Sequence, residues 1–134
     1  MKNNMKERVQ YLTDTFTDYE GIERNFTICA VTIYNNYNYN PITSFGISVC
    51  KKEDISKYSP ELGQRIAYGK AMKNPFVDVM CNMKGGMNTE ICKAYLNTFA
   101  KYFKEDPSIA IAGYKKVNDP KNKEKSLKQN VQNL

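Results

Sequence analysis

The segment SPELGQRIAYGKAM, at residues 59–72, strongly predicts a helix. A serine suited to the N-cap comes first, then a proline, whose missing N–H is no loss in the first turn, and then an acid that complements the helix dipole. Within the helix, Gly63, Ala67 and Ala71 recur at every fourth position and leave one face almost without side chains. Because a glycine inside a helix costs about 1 kcal/mol relative to alanine, we expect a close packing contact or a ligand contact to compensate.

Three strand patterns come before this helix. The first covers residues 11–19 after a polar lead-in at residues 1–10, and the second, residues 24–34, is apolar on both parities, which predicts an interior strand. An asparagine-rich loop leads to the third pattern, residues 42–50, in which larger apolar residues alternate with small residues. The larger residues of this third strand predict its core face: Phe45, Ile47 and Val49. Its small residues predict a face that lies under a helix or a partner: Ser44, Gly46 and Ser48.

The segments after the helix predict one more helix and further strands. Residues 76–81 fit a short strand or an extended loop, and a glycine turn then leads to a helix at residues 89–104, capped by Asn88 or Thr89. Residues 108–114 could add a last strand. Apolar positions at helical spacing predict the core face of the second helix: Cys92, Leu96, Phe99 and Phe103. The fold class we expect is therefore α+β, an antiparallel sheet of about four to five strands packed with two helices.

The net charge of +6 is concentrated at the C-terminal end of the chain. Residues 115–134 carry six lysines against two acidic residues, so the net charge of the preceding part is only +2. Nucleic-acid modules place basic stripes with interleaved aromatic residues on the folded surface, so we do not expect nucleic acid as a partner. We expect one ligand-binding domain at residues 1–116 and a basic tail at residues 117–134, partly disordered or helical. With no apolar run of about eighteen residues and no signal-peptide pattern, we expect a soluble intracellular protein with no membrane partner.

The residue types that are missing exclude several kinds of chemistry. The chain has no histidine, and its four cysteines are widely spaced without a C-x-x-C pair, which argues against a zinc site. Catalytic triads that use histidine and imidazole acid–base chemistry are excluded, which leaves carboxylate, lysine or tyrosine mechanisms. No pair of carboxylates can be placed on a common face. These features argue against an enzyme, and we expect no metal or cofactor.

Two groups of residues have the chemistry to bind an anionic ligand. The turn of Lys84, Gly85 and Gly86 precedes a helix N-terminus, where backbone N–H groups favour a phosphate, although a plain flexible turn explains the same residues. The second group surrounds the first helix, where cations and aromatic rings could form a pocket for a phosphorylated base, although solvated charges are the simpler explanation. The members of this second group are Arg65, Lys70, Lys73, Tyr68 and Phe76.

Arg24 is a third candidate, at the entrance of the interior strand. Its side chain could snorkel from the sheet edge, and its planar fork also suits a pyrophosphate. Residues 24–31, residues 44–48 and residues 63–71 together resemble the first family of Thoeris anti-defence sponges, which are small phage proteins. The resemblance covers residues 24–104.

The resemblance implies that the protein is not an enzyme, and it implies a function and a set of contacts. Members of this family bind cyclic ADP-ribose isomers made by a TIR-domain protein, and so prevent activation of an effector that consumes NAD. It implies a homodimer or a higher homo-oligomer in the host bacterial cytoplasm, with ligand pockets near subunit interfaces. On this sequence, Arg24 would bind the phosphates, Phe76 would stack on adenine, and Asn88 with the turn at residues 84–86 would hold phosphate or ribose. Lys70 and Arg65 are further candidates, with Tyr68 beside them.

Two alternatives from other functional classes stay open. The first is a phage inhibitor, of the anti-CRISPR type, that acts by surface contact with a host defence protein and needs no pocket. The second is a small nucleic-acid-binding phage protein that uses the basic tail, whose binding would weaken steeply with salt.

Overall fold

The computed structural model describes residues 5–35 and 41–109. Four strands form one antiparallel sheet in chain order: β1 (Lys6–Thr17), β2 (Glu23–Tyr34), β3 (Ile42–Val49) and β4 (Val77–Met80). A 3₁₀ helix (Lys52–Lys57) and the helix α1 (Pro60–Lys73) connect β3 to β4, and the helix α2 (Thr89–Glu105) follows β4. The expected α+β fold, with an antiparallel sheet and two helices, is confirmed.

The strand β2 lies inside the sheet and is buried on both of its faces. It pairs with β1 along its whole length, from Lys6 opposite Tyr34 to Thr17 opposite Glu23, and with β3 on its other side. Every side chain from residue 26 to residue 32 is buried, because α1 covers one face of the sheet and α2 covers the other. The predicted interior strand is therefore confirmed.

The face under α2 holds the larger core. Phe26, Ile28 and Phe45 from the strands are inaccessible to solvent there. An aromatic cluster joins this face to α2, with ring centroids 5.0 Å apart for Phe45 and Phe99 and 5.2 Å apart for Phe76 and Phe99, both edge to face. The four residues predicted for the core face of α2 are all buried: Cys92, Leu96, Phe99 and Phe103.

The face under α1 is built from small residues. Ala67 and Ala71 are buried against Cys29 and Val31 of β2, and Gly46 of β3 lies directly beneath the helix. A Cβ atom on Gly46 would collide with the backbone of Ala67 and Ala71. The close approach predicted from the small face of the helix, and the helix predicted over the small face of β3, are both confirmed.

Both α1 and α2 begin at a side-chain cap. Ser59 Oγ accepts a hydrogen bond from the Leu62 backbone N–H at 3.2 Å, and Asn88 Oδ1 accepts one from the Ile91 N–H at 2.8 Å. Such caps typically stabilise a helix by about 1 kcal/mol. The structure therefore identifies Asn88, rather than Thr89, as the cap of α2.

Two expectations from the sequence are corrected. The polar lead-in predicted for residues 1–10 is wrong from residue 6 onward. The end of β2 offers an antiparallel partner there, and β1 therefore begins at Lys6. The strand predicted for residues 108–114 is wrong at Ser108 and Ile109. Residues 107–109 are helical, and the Ile109 N–H donates to the Asp106 carbonyl at 3.0 Å. Residues 110–114, the remainder of that segment, and the predicted tail at residues 117–134 lie outside the described residues.

Candidate functional site

A cavity of about 410 Å³ opens between the first turns of α1, the 3₁₀ helix and the ends of β2 and β3. We call it the α1 cavity. Its apolar lining comes from Val49, Tyr58, Leu62 and Ile66. Its polar lining comes from Thr27, Ser48, Lys51, Asp54 and Lys57. Pockets of this size, apolar with a few convergent polar groups, are typical of small-molecule sites.

The floor of the cavity follows from the small residues of α1. Gly63 lies so close to β2 that a Cβ atom on it would be 2.9 Å from Thr27 Oγ1. The Thr27 hydroxyl is held in turn by the Thr13 hydroxyl at 3.2 Å. Leu62 and Ile66 stand one helical turn apart at the side of this contact and line the cavity. The same small residues that seat α1 on the sheet therefore leave room for the cavity beside it.

The Tyr58 hydroxyl is a buried polar group at the cavity. Tyr58 follows the 3₁₀ helix, and its hydroxyl oxygen is shielded from solvent without a hydrogen-bond partner in the part of the chain that the structure describes. Leaving such a group unpaired typically costs 1–3 kcal/mol. Because this oxygen has almost no accessible surface, a ligand atom in the cavity does not reach it in this conformation.

Cations outnumber anions at the rim of the cavity. Lys51 and Lys57 line it from either end of the 3₁₀ helix, with Asp54 between them. Lys70 lies one turn beyond Ile66 on the same side of α1. Burial lowers the pKa of the Lys70 ammonium, and repulsion by Lys51 lowers it further, so these two positive charges are close enough to interact.

The N-terminus of α1 has few spare donors for an anion. Pro60 has no N–H, and the Leu62 N–H already bonds Ser59. The pKa of the Glu61 carboxyl is lowered, chiefly because its own backbone N–H donates to it. Positive charge at the cavity therefore comes from lysine side chains rather than from the helix end.

Cys50 also lines the cavity, but its thiol is a weak nucleophile. Burial raises the pKa of Cys50 above its usual range, Asp54 adds to the rise, and Arg24 opposes it. The thiol is therefore protonated at neutral pH, and thiolate chemistry is not favoured here. The other groups around the cavity are an apolar wall, hydroxyls, one carboxylate and lysines.

The structure gives Arg24 and Phe76 internal contacts. Arg24 Nε donates to the Cys50 carbonyl at 2.9 Å, and Arg24 Nη1 lies 3.6 Å from an Asp18 carboxylate oxygen. The Phe76 ring is only 3% exposed and packs edge to face on Phe99 and Phe103. A base stacking on Phe76 would first have to displace one of these rings.

The glycine turn also has a structural explanation. Gly85 and Gly86 have φ angles of 78° and 80°, which favour glycine. The Gly85 carbonyl accepts from Arg8 Nη1 at 3.3 Å, and the Asn88 side chain is occupied as the cap of α2. Lys84 is exposed at the tip of this turn.

The remaining candidates lie on different sides of α1. Arg65 is exposed, and the Tyr68 hydroxyl donates to Glu7 of β1 at 2.7 Å, on the side of α1 away from Ile66. A Cβ atom on Gly86 would lie 3.1 Å from Thr32 Cγ2. Because Thr32 is eight residues along β2 from Arg24, the glycine turn is roughly 26 Å from Arg24. Within the described residues of one chain, the predicted residues do not form a single site. Two of them lie beside the α1 cavity: Arg24, which donates to the carbonyl of the cavity-lining Cys50, and Lys70, one helical turn from Ile66.

The residues that line the α1 cavity were missed, although several lie inside the segments that carry the resemblance: Thr27, Ser48, Gly63 and Ile66. Comparison with protein-family models, curated proteins and solved structures found no match. Within residues 5–35 and 41–109, no group of three metal-ligating side chains is placed to hold an ion. No helix in that part of the chain has the length and apolar character needed to cross a bilayer.

Proposed function

We propose that this protein binds a cyclic ADP-ribose isomer made by a TIR-domain protein and holds it without turnover. The resemblance of three segments to Thoeris anti-defence sponges is the starting point. One structural observation supports it: these segments pack as a single unit, with Gly46 beneath Ala67 and Ala71 and with Thr27 against Gly63. That unit borders a cavity large enough for a small molecule.

The groups at the cavity match the parts of such a nucleotide. A cyclic ADP-ribose isomer presents a flat base, ribose hydroxyls and two phosphates. Leu62 and Ile66 offer an apolar wall, Asp54 offers an acceptor for hydroxyls, and Lys51 and Lys57 offer positive charge. Sequestration needs tight binding and no chemistry, so preorganised contacts of this kind are enough.

The proposal also covers the setting in which the protein acts. It would be a phage product that works in the host bacterial cytoplasm as a homodimer or a higher homo-oligomer. By lowering the free concentration of the signal, it would prevent activation of the NAD-consuming effector. Ligand pockets near subunit interfaces would let a small domain enclose a nucleotide.

A thermal unfolding experiment tests this proposal. At a ligand concentration of about 100 times Kd, binding adds roughly 2.7 kcal/mol to the free energy of unfolding. For a domain of this size, we expect the unfolding temperature to rise by about 8–10 °C with the preferred isomer. Linear ADP-ribose serves as the control and should give a much smaller rise.

The released ligand distinguishes sequestration from catalysis. After heat denaturation of the complex, chromatography with mass detection should recover the intact isomer in a near-stoichiometric amount. Recovery of a hydrolysed product would contradict the proposal, as would the absence of a thermal shift at excess ligand. Capture of one host protein independently of any nucleotide would instead support the protein-directed inhibitor.

A further inference from the structure

We propose that the nucleotide binds in the α1 cavity, with its base against α1 and its phosphates at Lys51 and Lys57. This inference rests on the proposed function and names its site. It moves the ligand away from Phe76 and the glycine turn, whose side chains and carbonyls are engaged in internal contacts. The α1 cavity offers apolar surface, positive charge and hydroxyl groups to the ligand.

The cavity offers an apolar wall to the base of the nucleotide. Leu62 is 45% exposed and Ile66 is 40% exposed, on successive turns of a helix whose neighbouring face, at Ala67 and Ala71, is seated on the sheet. Tyr58 lines the same cavity and lies near Gly63, where its Cε1 atom would be 3.7 Å from a Cβ. A flat ring placed between Tyr58 and the two aliphatic side chains would cover apolar surface that is otherwise open to water.

The lysines at the two ends of the 3₁₀ helix offer positive charge to the phosphates. Lys51 and Lys57 line the cavity at the two ends of one short 3₁₀ helix, so a diphosphate placed there would interact with both ammonium groups. The same anion would also offset the repulsion between Lys51 and Lys70. Asp54 lies between the two lysines in sequence and lines the same cavity, where its carboxylate can accept from ribose hydroxyls.

The strand side of the cavity offers hydroxyl groups to the base. Thr27 and Ser48 line the cavity on the strand side, and the Thr27 hydroxyl already bonds Thr13. Adenine carries both donors and acceptors on its edge. A base whose edge faces the strand side would be placed to hydrogen-bond the Ser48 hydroxyl.

Paired charge reversals test the site. The variant Lys51→Glu with Lys57→Glu alters two exposed side chains and should weaken binding of the isomer at least 100-fold by calorimetric titration. Its control, Lys93→Glu with Lys101→Glu, makes the same change in net charge on exposed residues of α2, on the opposite face of the sheet, and should weaken binding less than 3-fold. Unchanged unfolding temperatures without ligand would establish that both variants fold.

Cysteine alkylation provides a second readout on the unmodified protein. Cys50 lines the cavity, whereas Cys81, which is also half-buried, packs beside the core under α2. With the isomer bound, iodoacetamide should modify Cys50 at least 10-fold more slowly by peptide mass spectrometry, and the rate at Cys81 should not change.

The outcomes separate the two proposals. If an isomer binds the wild-type protein but both double variants bind it equally well and Cys50 is not protected, the site assigned here is wrong and the proposed function stands. If no isomer binds the wild-type protein at all, the proposed function fails, and this inference fails with it.

Discussion

A single carboxylate organises the turn between β1 and β2. Asp18 Oδ1 accepts hydrogen bonds from the backbone N–H groups of Glu20 and Ile22, both at 2.9 Å, and the side chain is 5% exposed. These bonds lower the pKa of Asp18, with the Ile22 N–H as the largest cause and Arg24 as a smaller one. Arg24 thus has a structural task at the sheet end, whatever it contributes to a ligand.

The lowered pKa gives a stability that depends on pH. Because the folded state holds Asp18 ionised more strongly than the unfolded chain does, its contribution is complete above about pH 4 and is lost as the pH falls through the folded pKa. We expect Asp18→Asn, which keeps one acceptor oxygen but loses the charge, to lower the free energy of unfolding at pH 7. The difference from wild type should shrink below about pH 4.

Urea unfolding between pH 7 and pH 3 measures this difference. Glu53→Gln, a change of equal charge in the exposed 3₁₀ helix, is the control and should show a smaller effect. A difference for Asp18→Asn that stays constant down to pH 3 would mean that the charge itself does not stabilise the turn.

Among the elements, α1 depends most on a close approach of two backbones. Gly46 of β3 fits beneath Ala67 and Ala71, which brings the helix axis nearer to the sheet than larger side chains would allow. Gly69, in contrast, faces open space, with no heavy atom within 4 Å of its Cβ position.

The same substitution at these two glycines should have opposite effects. Gly46→Ala places a methyl group against backbone atoms that cannot rotate away, so we expect it to lower the free energy of unfolding by about 3 kcal/mol. Gly69→Ala should raise it by about 0.5–1 kcal/mol, because alanine is the better helix former. Chemical denaturation of both variants measures the two changes, and a mild effect at Gly46 would mean that α1 can shift on the sheet.

The elements differ in how far the sequence predicts them. The cap, the proline and the small face of α1 are local signals, and they locate both the helix and its contact. The start of β1 at Lys6 is not local, because only the pairing with Tyr34 makes that end extended. The α1 cavity could not be predicted because Thr27, Tyr58 and Ile66 come from three segments that only the folded sheet and the 3₁₀ helix bring together.

For the molecule as a whole, the described residues account for the sheet, both helices and the cavity, while the excess charge lies beyond them. The contacts proposed for the nucleotide all fall between Thr27 and Ile66. The six lysines after residue 114 therefore have no part in the proposed binding. This separation would distinguish a nucleotide sponge from a nucleic-acid-binding protein.

A chain that ends at Lys116 tests this separation. We expect it to bind the isomer with a Kd within 2-fold of the full chain, in a manner that depends only weakly on salt. Full-length protein and the shortened chain would be compared by calorimetric titration at low and high salt. Loss of binding in the shortened chain would contradict the proposed site, and a steep dependence on salt would favour a nucleic-acid ligand.

The burial of β2 on both faces has a consequence for how this molecule can change during evolution. Alternate residues of β2 face different cores, so Ile28 contacts the layer of α2 while Cys29 contacts the layer of α1. A substitution in one layer therefore needs compensation only among residues of that layer. The surface around α1 can therefore vary in sequence while the aromatic layer under α2 keeps the domain folded.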